Sequence, residues 1–524
     1  MTATRQRRLQ ERARRSVSSN PGLCLESIEQ LLRNGAADRE FLVLRANALR
    51  NLGQYSQAGV LYRQLFEQNP GDHSLALESI SCFLRCFDYT AIKDLLPDLV
   101  ESPPKSEKGL VVCIRAAQAL RQSSLALQLC EKLVEKAPGD PVHRCKLGTL
   151  YQSFGQMGQA EEEFLAALEI DIDYEPAWYF LAQLRKYSSD DNHLAELYYF
   201  LERQSQNGTG ASAVHYAIAK ECEDLGRYDD AFEHMNKGAQ QMRRRSGYGV
   251  EADQRLFKEL QDWFAGSNPM DTTLPQPEGP VFVLGMPRTG STLADRILSS
   301  HSEVSSVGEL MCFRRAVEEL CASGGHQDFF SHFFAQAPRQ LPYHEIGARY
   351  LDMVSPLHGE QRYFIDKMPM NYVFAGLIAR ALPGARFIHT IRNPMDTCFS
   401  NFKQMFGEGY YGYSYDLEST AVHYKLYRDL MAFWHQHLPG RIYDLEYERM
   451  VADPEGESRA MLSWLGLDWQ ERCLQFHRSS TAVHTASVSQ VRQPIYRDSV
   501  EKWRKFGHHL QPLQQALESV SQAS

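Results

Sequence analysis

Several features that would place a protein in a class at once are missing from this sequence of 524 residues. No apolar run approaches the roughly 18 residues of a membrane-spanning helix, and no apolar stretch follows the basic start of the chain, so we expect neither a span nor a secretory signal. The eleven cysteines form no CxxC pair and no Cys/His zinc spacing, so no metal site is expected. These absences predict a cytoplasmic protein whose thiols are reduced and buried.

The net charge and the length of the chain indicate which partners and how many domains to expect. A formal net charge of −9 argues against nucleic acid as the main partner, although "RQRRLQERARRS", residues 5–16, contains six arginines. We expect residues 1–20 to form a basic N-terminal extension, solvated or helical, with contact to RNA or a membrane as the alternative. The length, with 43% hydrophobic and 23% charged residues, indicates a globular protein of at least two domains.

Three similar phrases recur in the first half of the chain: "ALRNLGQYSQAGVLY", "LYQSFGQMGQAEEEF" and "ECEDLGRYDDAFEHM". Each has a central glycine (Gly53, Gly155 and Gly226), an alanine five residues later and a small residue seven residues earlier. The first two glycines are 102 residues apart, three times 34, and this period is typical of tetratricopeptide repeats. We predict an all-α superhelix over residues 21–262. Its concave face is a candidate surface for a protein partner, unless the repeats only stabilise the neighbouring domain.

A change of composition follows the repeats. The stretch "AGSNPMDTTLPQPEGP" contains four prolines and predicts a linker over residues 263–279. Beyond it, the short apolar runs "VFVLGM" and "ARFIHTIR" are typical of buried strands, and each is followed by a helical pattern. This alternation predicts an α/β domain with a parallel sheet over residues 280–524.

The stretch "VFVLGMPRTGST", residues 281–292, has the form of a strand that runs into a phosphate-binding loop. From Gly285 it spells G-x-x-x-x-G, but Ser291 stands where a nucleotide triphosphatase has lysine. We expect the strand to end at Leu284 and a helix to begin near Gly290, so that backbone N–H groups face a phosphate. The residues expected to bind it are Arg288, Thr289, Gly290, Ser291 and Thr292. An ordinary glycine-rich turn is the alternative.

A second segment, "FIHTIRNPMDTCFSNF", has the residues for another anion site. Arg392 closes a strand, and Asn393 and Pro394 suit the cap and the first position of the next helix. Ser400 lies eight residues beyond Arg392, about two turns into that helix. Arg392 and Ser400 can together hold a second phosphate, whereas the segment alone is also typical of an ordinary helix start.

Two separated phosphate sites without a P-loop lysine fit the nucleotide 3′-phosphoadenosine 5′-phosphosulfate. Residues 280–506 resemble the sulfotransferase superfamily, whose 5′-phosphosulfate loop and 3′-phosphate motif have the forms of the two segments above. In particular, the chain is similar to tyrosylprotein sulfotransferases and to bacterial sulfotransferases that carry tetratricopeptide repeats. The resemblance implies a P-loop-like α/β fold and an enzyme that moves a sulfuryl group from this co-substrate to an acceptor hydroxyl without a metal.

The resemblance also implies roles for single residues. Glu309 in "SSVGEL" matches the general base that takes the proton of the acceptor. Lys367 in "YFIDKMPMN" and Ser487 in "ASVSQV" match groups that stabilise the departing phosphate, and Arg288 would share that role. The residues matched to other donor contacts are Tyr447 and Lys502, beside Arg392 and Ser400 at the 3′-phosphate.

The chain also departs from the tyrosylprotein enzymes. Glu309 is followed by Leu310–Cys312, and the first positive charge is Arg314, later than the arginine that engages acidic acceptor peptides in that family. Gln404 stands where an arginine is common, and no membrane anchor is expected. These differences leave the acceptor open among a protein tyrosine, a saccharide and a small metabolite.

Further candidates concern the acceptor side and the rival functions. The stretch "GEGYYGYSYD", residues 407–416, suits a lid over a ring-bearing acceptor or an irregular loop anchored by its tyrosines. His301 and His389 are other candidate bases, of which His389 is expected to be structural. Arg492 and Arg497 are expected in an electropositive lid over the donor, in the segment that carries Ser487 and Lys502. The alternative functions are a repeat scaffold without activity and a P-loop nucleotide kinase or triphosphatase.

Overall fold

Two compact units make up the chain in the computed structural model. One contains residues 1–138 together with 351–357, and the other contains residues 139–350 and 358–524. The second unit therefore begins at residue 139, before the predicted linker, and contains the later repeats together with the α/β part. The domain limits that the sequence suggests remain predictions. The residues that the structure describes are 2–35, 38–205, 211–266, 279–321, 341–407, 411–478, 482–483, 491–493, 495 and 499–521.

The first unit is helical. Its helices within the described residues are α1 Ala3–Ser19, α2 Pro21–Leu32, α3 Arg39–Asn51, α4 Tyr55–Glu67, α5 His73–Cys86, α6 Tyr89–Glu101, α7 Glu107–Ala119 and α8 Ser123–Lys136. Leu9, Ala13 and Ser16 of α1 are buried, and α1 packs against α2 and α3. Residues 3–19 of the basic segment are therefore helical, and three residues at helical spacing between its arginines are buried.

The three repeat glycines lie at turns between paired helices. Gly53, Gly155 and Gly226 have φ angles of 76°, 80° and 75°, a left-handed backbone that glycine adopts without strain. A Cβ at Gly148 would lie 2.6 Å from the ring of Phe164, so those two helices approach too closely for a larger residue. The alanines five residues after these glycines and the small residues seven residues before them are all buried: Ala46, Ala58, Gly148, Ala160, Ala219 and Ala231.

The chain after the first unit continues the repeat pattern and then enters a sheet. The helices before the sheet are α9 Pro141–Ser153, α10 Met157–Ile170, α11 Glu175–Gln183, α12 Leu194–Ser205, α13 Ser212–Asp224, α14 Tyr228–Ser246 and α15 Val250–Ala265. The strands are β1 Gly279–Leu284, β2 Val304–Gly308, β3 Tyr363–Lys367, β4 Arg386–Ile391 and β5 Ile442–Glu446. The later helices are α16 Ser291–Ser299, α17 Cys312–Cys321, α18 Tyr343–Val354, α19 Ala375–Ala381, α20 Pro394–Phe402, α21 Leu417–His437, α22 Tyr447–Ala452, α23 Pro454–Leu465 and α24 Gln511–Ser521, with short 3-10 helices that include Lys502–Leu510.

The five strands form one parallel sheet in the order β2-β3-β1-β4-β5. β1 and β4 are the two predicted strands, and both are buried along most of their length, as parallel strands between layers of helices are. From β1 the chain passes first to β2 and β3, on one side of β1, and then to β4 and β5, on the other side. The strand order therefore reverses at β1. Ligands of open α/β sheets bind outside the carboxyl ends of the strands at such a point.

One hydrophobic core joins the later repeats to the α/β part. Tyr216 of α13, Phe402 of α20 and Phe506 of the Lys502–Leu510 helix are buried in the same cluster. The ring of Phe506 lies edge-on to Tyr228 of α14, with 5.1 Å between ring centres. The hydroxyl of Tyr216 donates to the carbonyl oxygen of Phe402 at 3.3 Å. The helices α13 and α14 are therefore part of the α/β fold rather than an appendage to it.

The cysteine side chains lie inside the fold. All eleven cysteines lie in the described part of the chain, are buried and form no disulfide. Burial raises the pKa of the Cys145 thiol to about 12, which keeps that thiol in its unreactive form. Among the described residues, no helix combines the length and the apolar character that a membrane crossing requires.

Candidate active site

The carboxyl ends of the strands bring most of the predicted site residues together. The loop after β1 carries Arg288, Glu309 follows β2, Lys367 ends β3, Arg392 follows β4 and Tyr447 follows β5. All but Lys367 line one cavity of about 1350 Å³, and Lys367 bonds to Glu309. We call the part of the cavity wall that follows the strands the strand-end wall. The other predicted residues on it are Gly290, Ser291, Thr292 and Ser400. The site thus lies where the strand order reverses, as expected for this topology.

The loop after β1 has unusual backbone angles. Arg288 has a φ of 70° and Gly290 a φ of 98°, so the chain turns sharply before α16 begins at Ser291. A Cβ at Gly290 would lie 2.8 Å from Cδ2 of Tyr447, so the tyrosine ring covers the loop closely. The left-handed angle of a non-glycine residue such as Arg288 costs about 1–2 kcal/mol. Such strain is common at ligand sites, and the start of α16 has the geometry of an anion site.

The side chain of Thr289 faces the interior rather than the cavity. Its hydroxyl donates to the carbonyl oxygen of Met286 at 2.7 Å and hydrogen-bonds the hydroxyl of Thr390 at 2.7 Å. Asn401 of α20 donates to the carbonyl oxygen of Pro287 at 2.8 Å, so α20 also braces the loop. Any contact of Thr289 with a ligand is therefore left to its backbone, while its side chain fixes the loop.

Arg392 links the two predicted anion sites. Its Nη1 donates to the carbonyl oxygen of Arg288 at 3.0 Å, and its Nη2 to that of Ser499 at 2.5 Å. Its guanidinium carbon lies 4.8 Å from the centre of the Tyr447 ring. Arg288 in turn donates from Nε to Oγ of Ser400 at 3.4 Å. Nε of Arg392 is buried and has no hydrogen-bond partner among the described residues, so one donor of this side chain remains for a ligand.

The helix α20 begins as the sequence predicts. The side chain of Asn393 accepts from the N–H groups of the second and third helical residues at 3.0 and 3.2 Å, and Pro394 occupies the first position. Asp396 in the first turn accepts from the N–H of Glu501 at 2.7 Å. The start of α20 therefore also holds the C-terminal segment that carries Lys502.

Glu309 and Lys367 form an ion pair at the ends of β2 and β3. The side chain of Lys367 is 1% exposed and that of Glu309 is 39% exposed, so a buried ammonium holds a carboxylate that faces the cavity. A carboxylate in this position can take a proton from an attacking hydroxyl. A fixed ammonium can stabilise negative charge that develops beside it. The pair therefore has both functions that a displacement reaction needs.

Asp366 is a buried acid that the sequence pattern did not single out. It precedes Lys367 on β3, accepts from the hydroxyl of Tyr350 at 3.0 Å and accepts from the amide of Asn371 at 3.2 Å. Burial raises its pKa to about 7. Asp366 therefore fixes the end of β3 from inside the fold, next to the lysine that holds Glu309.

The repeats supply a second wall of the cavity. We call it the repeat wall; it includes Gln183, Arg185, Lys186, Lys220, Glu223 and Asp224. Glu223 of α13 pairs with Lys403, the residue after α20, and its Oε1 lies 3.0 Å from Nζ of Lys502. Lys502 was expected at the donor and lines the cavity, but no motif indicated Glu223 or Lys403. Their separation of 180 positions leaves no local signal from which to predict the pair.

Gln404 has a structural partner on the repeats. Its amide donates to the hydroxyl of Tyr179 on α11 at 2.7 Å, and Tyr179 is buried. The glutamine that replaces the arginine common in the tyrosylprotein enzymes therefore connects the α/β part to the repeats.

The two candidate histidine bases are both held inside the fold. His301 bonds through Nε2 to the carbonyl oxygen of Asp468 at 2.8 Å, and its Nδ1 accepts from a backbone N–H two residues later at 3.2 Å. His389 bonds through Nδ1 to Asp444 at 2.7 Å and through Nε2 to the hydroxyl of Tyr427. Burial lowers the pKa of His389, against the effect of Asp444. Neither histidine lines the cavity, whereas Glu309 does.

Two tyrosines of residues 407–416, Tyr413 and Tyr415, are anchored inside the fold. The ring of Tyr413 is buried and stacked on His423, with 3.7 Å between ring centres. The hydroxyl of Tyr415 donates to a backbone carbonyl oxygen at 2.6 Å. Residues 408–410 lie outside the described part. Tyr411 lines the cavity, so both expectations for this stretch remain open.

The predicted C-terminal residues are described only in part. Ser487 and Arg497 lie outside the described residues, so their roles remain predictions. Arg492 is described, and it donates to the carbonyl oxygen of Ser153 at the end of α9 at 2.7 Å. Its Nε lies 3.5 Å from where a Cβ would stand on Gly155. Arg492 therefore contacts a turn of the repeats.

The donor groups of the cavity suit a ligand with two anionic ends. The start of α16, Arg288, Arg392 and Ser400 all line the cavity, and their cationic, hydroxyl and backbone N–H groups are of the kinds that bind phosphates. The unpartnered Nε of Arg392 is the donor most clearly left for such a ligand. The residues therefore fit a nucleotide that carries phosphates at two positions.

Comparison with known proteins adds a family to this geometry. Residues 280–471 match the model of the sulfotransferase family, and residues 144–173 match that of the tetratricopeptide repeat. A protein of Aquifex aeolicus (strain VF5), described only as uncharacterized, is 28% identical over 443 residues, which are 82% of this chain and 57% of that relative. A putative protein-tyrosine sulfotransferase of Caenorhabditis briggsae is 25% identical over 229 residues, 43% of this chain and 80% of its own length. The solved sulfotransferase domain of the Synechococcus PCC 7002 olefin synthase aligns with a TM-score of 0.34 at 20% identity, over 49% of this chain and 98% of that domain.

Proposed function

The chain carries a sulfotransferase domain together with a tetratricopeptide repeat, and from this premise we propose that it transfers a sulfuryl group from 3′-phosphoadenosine 5′-phosphosulfate to an acceptor hydroxyl. The observation that carries the proposal is the contact between the two anion-binding elements. Arg288 donates to Ser400, and Arg392 donates back to the carbonyl oxygen of Arg288. The loop has Ser291 where the lysine of a magnesium-triphosphate site stands.

The proposal divides the donor between the two elements. The loop after β1 binds the 5′-phosphosulfate, and the start of α20 binds the 3′-phosphate. The residues assigned to the 5′ group are Arg288, Thr289, Gly290, Ser291 and Thr292. Those assigned to the 3′-phosphate are Arg392 and Ser400, and those assigned to further donor contacts are Tyr447 and Lys502.

The chemical step is a displacement at sulfur. The acceptor oxygen bonds to sulfur while the bond from sulfur to the bridging phosphate oxygen breaks, and adenosine 3′,5′-bisphosphate leaves. Glu309 takes the proton of the acceptor hydroxyl. This protonation neutralises the ion-pair partner of Lys367, so the charge of the ammonium becomes available when the leaving phosphate becomes negative. Arg288 and Ser487 share that stabilisation, and no metal takes part.

The acceptor that we propose first is a tyrosine of a protein. The name of the Caenorhabditis briggsae relative supports this choice, and so do the repeats, because their surfaces commonly bind extended peptides. Arg314, the first positive charge after Glu309, pairs with Glu318 at 2.6 Å, so it does not replace the peptide-binding arginine of the tyrosylprotein enzymes. Saccharides and small hydroxyl compounds belong in the same acceptor screen.

Calorimetric titration tests the donor site. Adenosine 3′,5′-bisphosphate and ATP are each titrated with and without magnesium. We expect the bisphosphate to bind more tightly and independently of the metal. Arg392→Ala should lower the affinity for the bisphosphate by about 100-fold, because a buried charge-assisted contact is lost. Arg459→Ala is the matched control, since Arg459 is an exposed arginine paired with Glu455.

The other outcomes select the rival functions. A preference for magnesium-ATP that is unchanged in Arg392→Ala would contradict the proposal and favour a kinase or triphosphatase. Binding of neither nucleotide would favour a repeat scaffold without activity.

A further inference from the structure

A carboxylate of the repeats lies within the basic part of the cavity wall. Glu223 stands at the C-terminal end of α13, and its side chain is 9% exposed. Lys403 donates to this carboxylate, and Nζ of Lys502 lies 3.0 Å from its Oε1. All three side chains line the cavity. One buried carboxylate therefore joins a repeat helix, the residue after α20 and the C-terminal segment.

The surroundings of Lys403 are mostly positive. The charged groups that face it are Glu223 on α13, Lys502 in the C-terminal segment and Arg288 in the loop after β1. Two of these three carry the same charge as Lys403. Burial, together with the two cations, lowers the pKa of Lys403 to about 8, although Glu223 acts in the opposite direction.

Glu223 itself is ionised near neutral pH. Burial alone would raise its pKa, but Lys403 and Lys502 outweigh that effect and lower it to about 2. The carboxylate is therefore a fixed negative charge, while Lys403 is the member of the group that can lose its charge in a moderately alkaline solution.

We propose that Glu223 is a positioning residue of the donor site, which holds the ammonium groups of Lys403 and Lys502 on the wall that receives the phosphates of the donor and keeps that of Lys403 charged. The inference rests on the function proposed above and extends the donor site to a residue of the repeats. Glu223 acts through the two lysines and does not touch the donor. The physical reason is that a buried ammonium without a counter-charge loses its proton.

The pH dependence of bisphosphate binding tests this role. Calorimetry from about pH 6.5 to about pH 9.5 should show that the dissociation constant of adenosine 3′,5′-bisphosphate rises above about pH 8. The sign follows because Lys403 is charged below its pKa and neutral above it, so binding above that pH must take up a proton. One coupled proton corresponds to about tenfold per pH unit.

Variants of Glu223 separate its charge from its shape. In Glu223→Gln the shape of the side chain is kept and its charge is lost. The rise in the dissociation constant of the bisphosphate should then begin at least about one pH unit lower. In Glu223→Asp the charge is kept, so the rise should stay near its wild-type pH. Glu221→Gln is the matched control, because Glu221 lies on the same helix, is buried and pairs with His193. It should affect stability without moving the pH profile.

Lys403→Arg gives an independent test. A guanidinium keeps its proton over this whole range, so the rise above about pH 8 should disappear in Lys403→Arg. It should also be absent from the double variant with Glu223→Gln. This outcome would assign the wild-type rise to Lys403 rather than to another group.

The outcomes keep this inference distinct from the proposed function. If the wild type binds the bisphosphate and Glu223→Gln has the same pH profile, the inference is wrong and the proposed function stands. Equal weakening at every pH in Glu223→Gln would also overturn it, since only a structural role would remain. Absence of bisphosphate binding by the wild type at every pH would instead overturn the proposed function.

Discussion

The strand-end wall and the repeat wall of the cavity differ in how the chain builds them. The strand-end wall consists of short segments that each follow a strand, and its residues occur in motifs of a few positions. The repeat wall meets the α/β part through pairs of residues far apart in the chain, such as Tyr179 with Gln404 and Glu223 with Lys403. The groups proposed for chemistry are therefore local in sequence, whereas the groups that hold them are not.

The two walls should also respond differently to substitution. The strand-end wall carries the proposed base and the phosphate contacts, so changes there should alter turnover or donor affinity. The repeat wall acts on the site through ion pairs and hydrogen bonds to α20 and the C-terminal segment. Changes there should mainly alter the pH profile or the stability of the fold.

The largest expected effect belongs to the strand-end wall. Glu309→Gln should lower turnover by about 100-fold to 10,000-fold, because the acceptor loses its general base. Turnover is measured as the release of adenosine 3′,5′-bisphosphate from the donor with a tyrosine peptide as acceptor. Binding of the bisphosphate should be kept or become tighter, because the neutral glutamine leaves the ammonium of Lys367 free for the product phosphate.

Glu303→Gln is the matched control, because Glu303 precedes the same strand β2 that Glu309 follows. Normal turnover in Glu309→Gln would remove this residue from the mechanism. It would also remove the main functional contrast between the two walls.

An intermediate effect is expected for the loop backbone. In Gly290→Ala the new Cβ would meet the ring of Tyr447 at 2.8 Å, at a φ of 98°. Strain of about 1–3 kcal/mol should weaken bisphosphate binding by about tenfold to 100-fold. Gly158→Ala, on α10 where a Cβ meets nothing within 4 Å, should leave binding unchanged. Equal binding by both variants would mean that the loop geometry does not matter for the ligand.

The smallest expected effect belongs to Tyr179, which lies in the repeats behind the repeat wall. Tyr179→Phe removes the hydroxyl that accepts from Gln404, and should lower the free energy of unfolding by about 1 kcal/mol in urea denaturation. Bisphosphate affinity should stay within about twofold. A double variant with Gln404→Met should recover part of the loss, because both polar partners are then gone. A loss of affinity as large as that of Gly290→Ala would erase the distinction between the walls.

The predictable parts of the structure are those that need particular residue types at fixed spacing. Gly155 had to be glycine because its turn has a left-handed backbone, and Asn393 with Pro394 marks a helix start because of capping geometry. The same reasoning identified Arg288 and Arg392 at the ends of strands. These features follow from local chemistry, so one sequence was enough to predict them.

The unpredicted parts depend on which helices pack together. Nothing near Glu223 in the sequence distinguishes it from an exposed acid of a repeat helix, and Lys403 resembles an ordinary lysine at a helix end. Their pairing exists only because α13 packs beside α20. For the same reason, the partners of His301 and the role of Gln404 became clear only from the structure.

The buried cluster that α13 and α14 share with α20 has a consequence for how this chain can have evolved. Repeats that lie outside a shared core can be gained or lost as modules. Removal of α13 and α14 would instead expose Phe402 and Phe506 and leave Lys403 beside two cations without its carboxylate. Changes in α13 or α14 are therefore tolerated only with matching changes in α20 and the C-terminal segment, so these elements are constrained to evolve together.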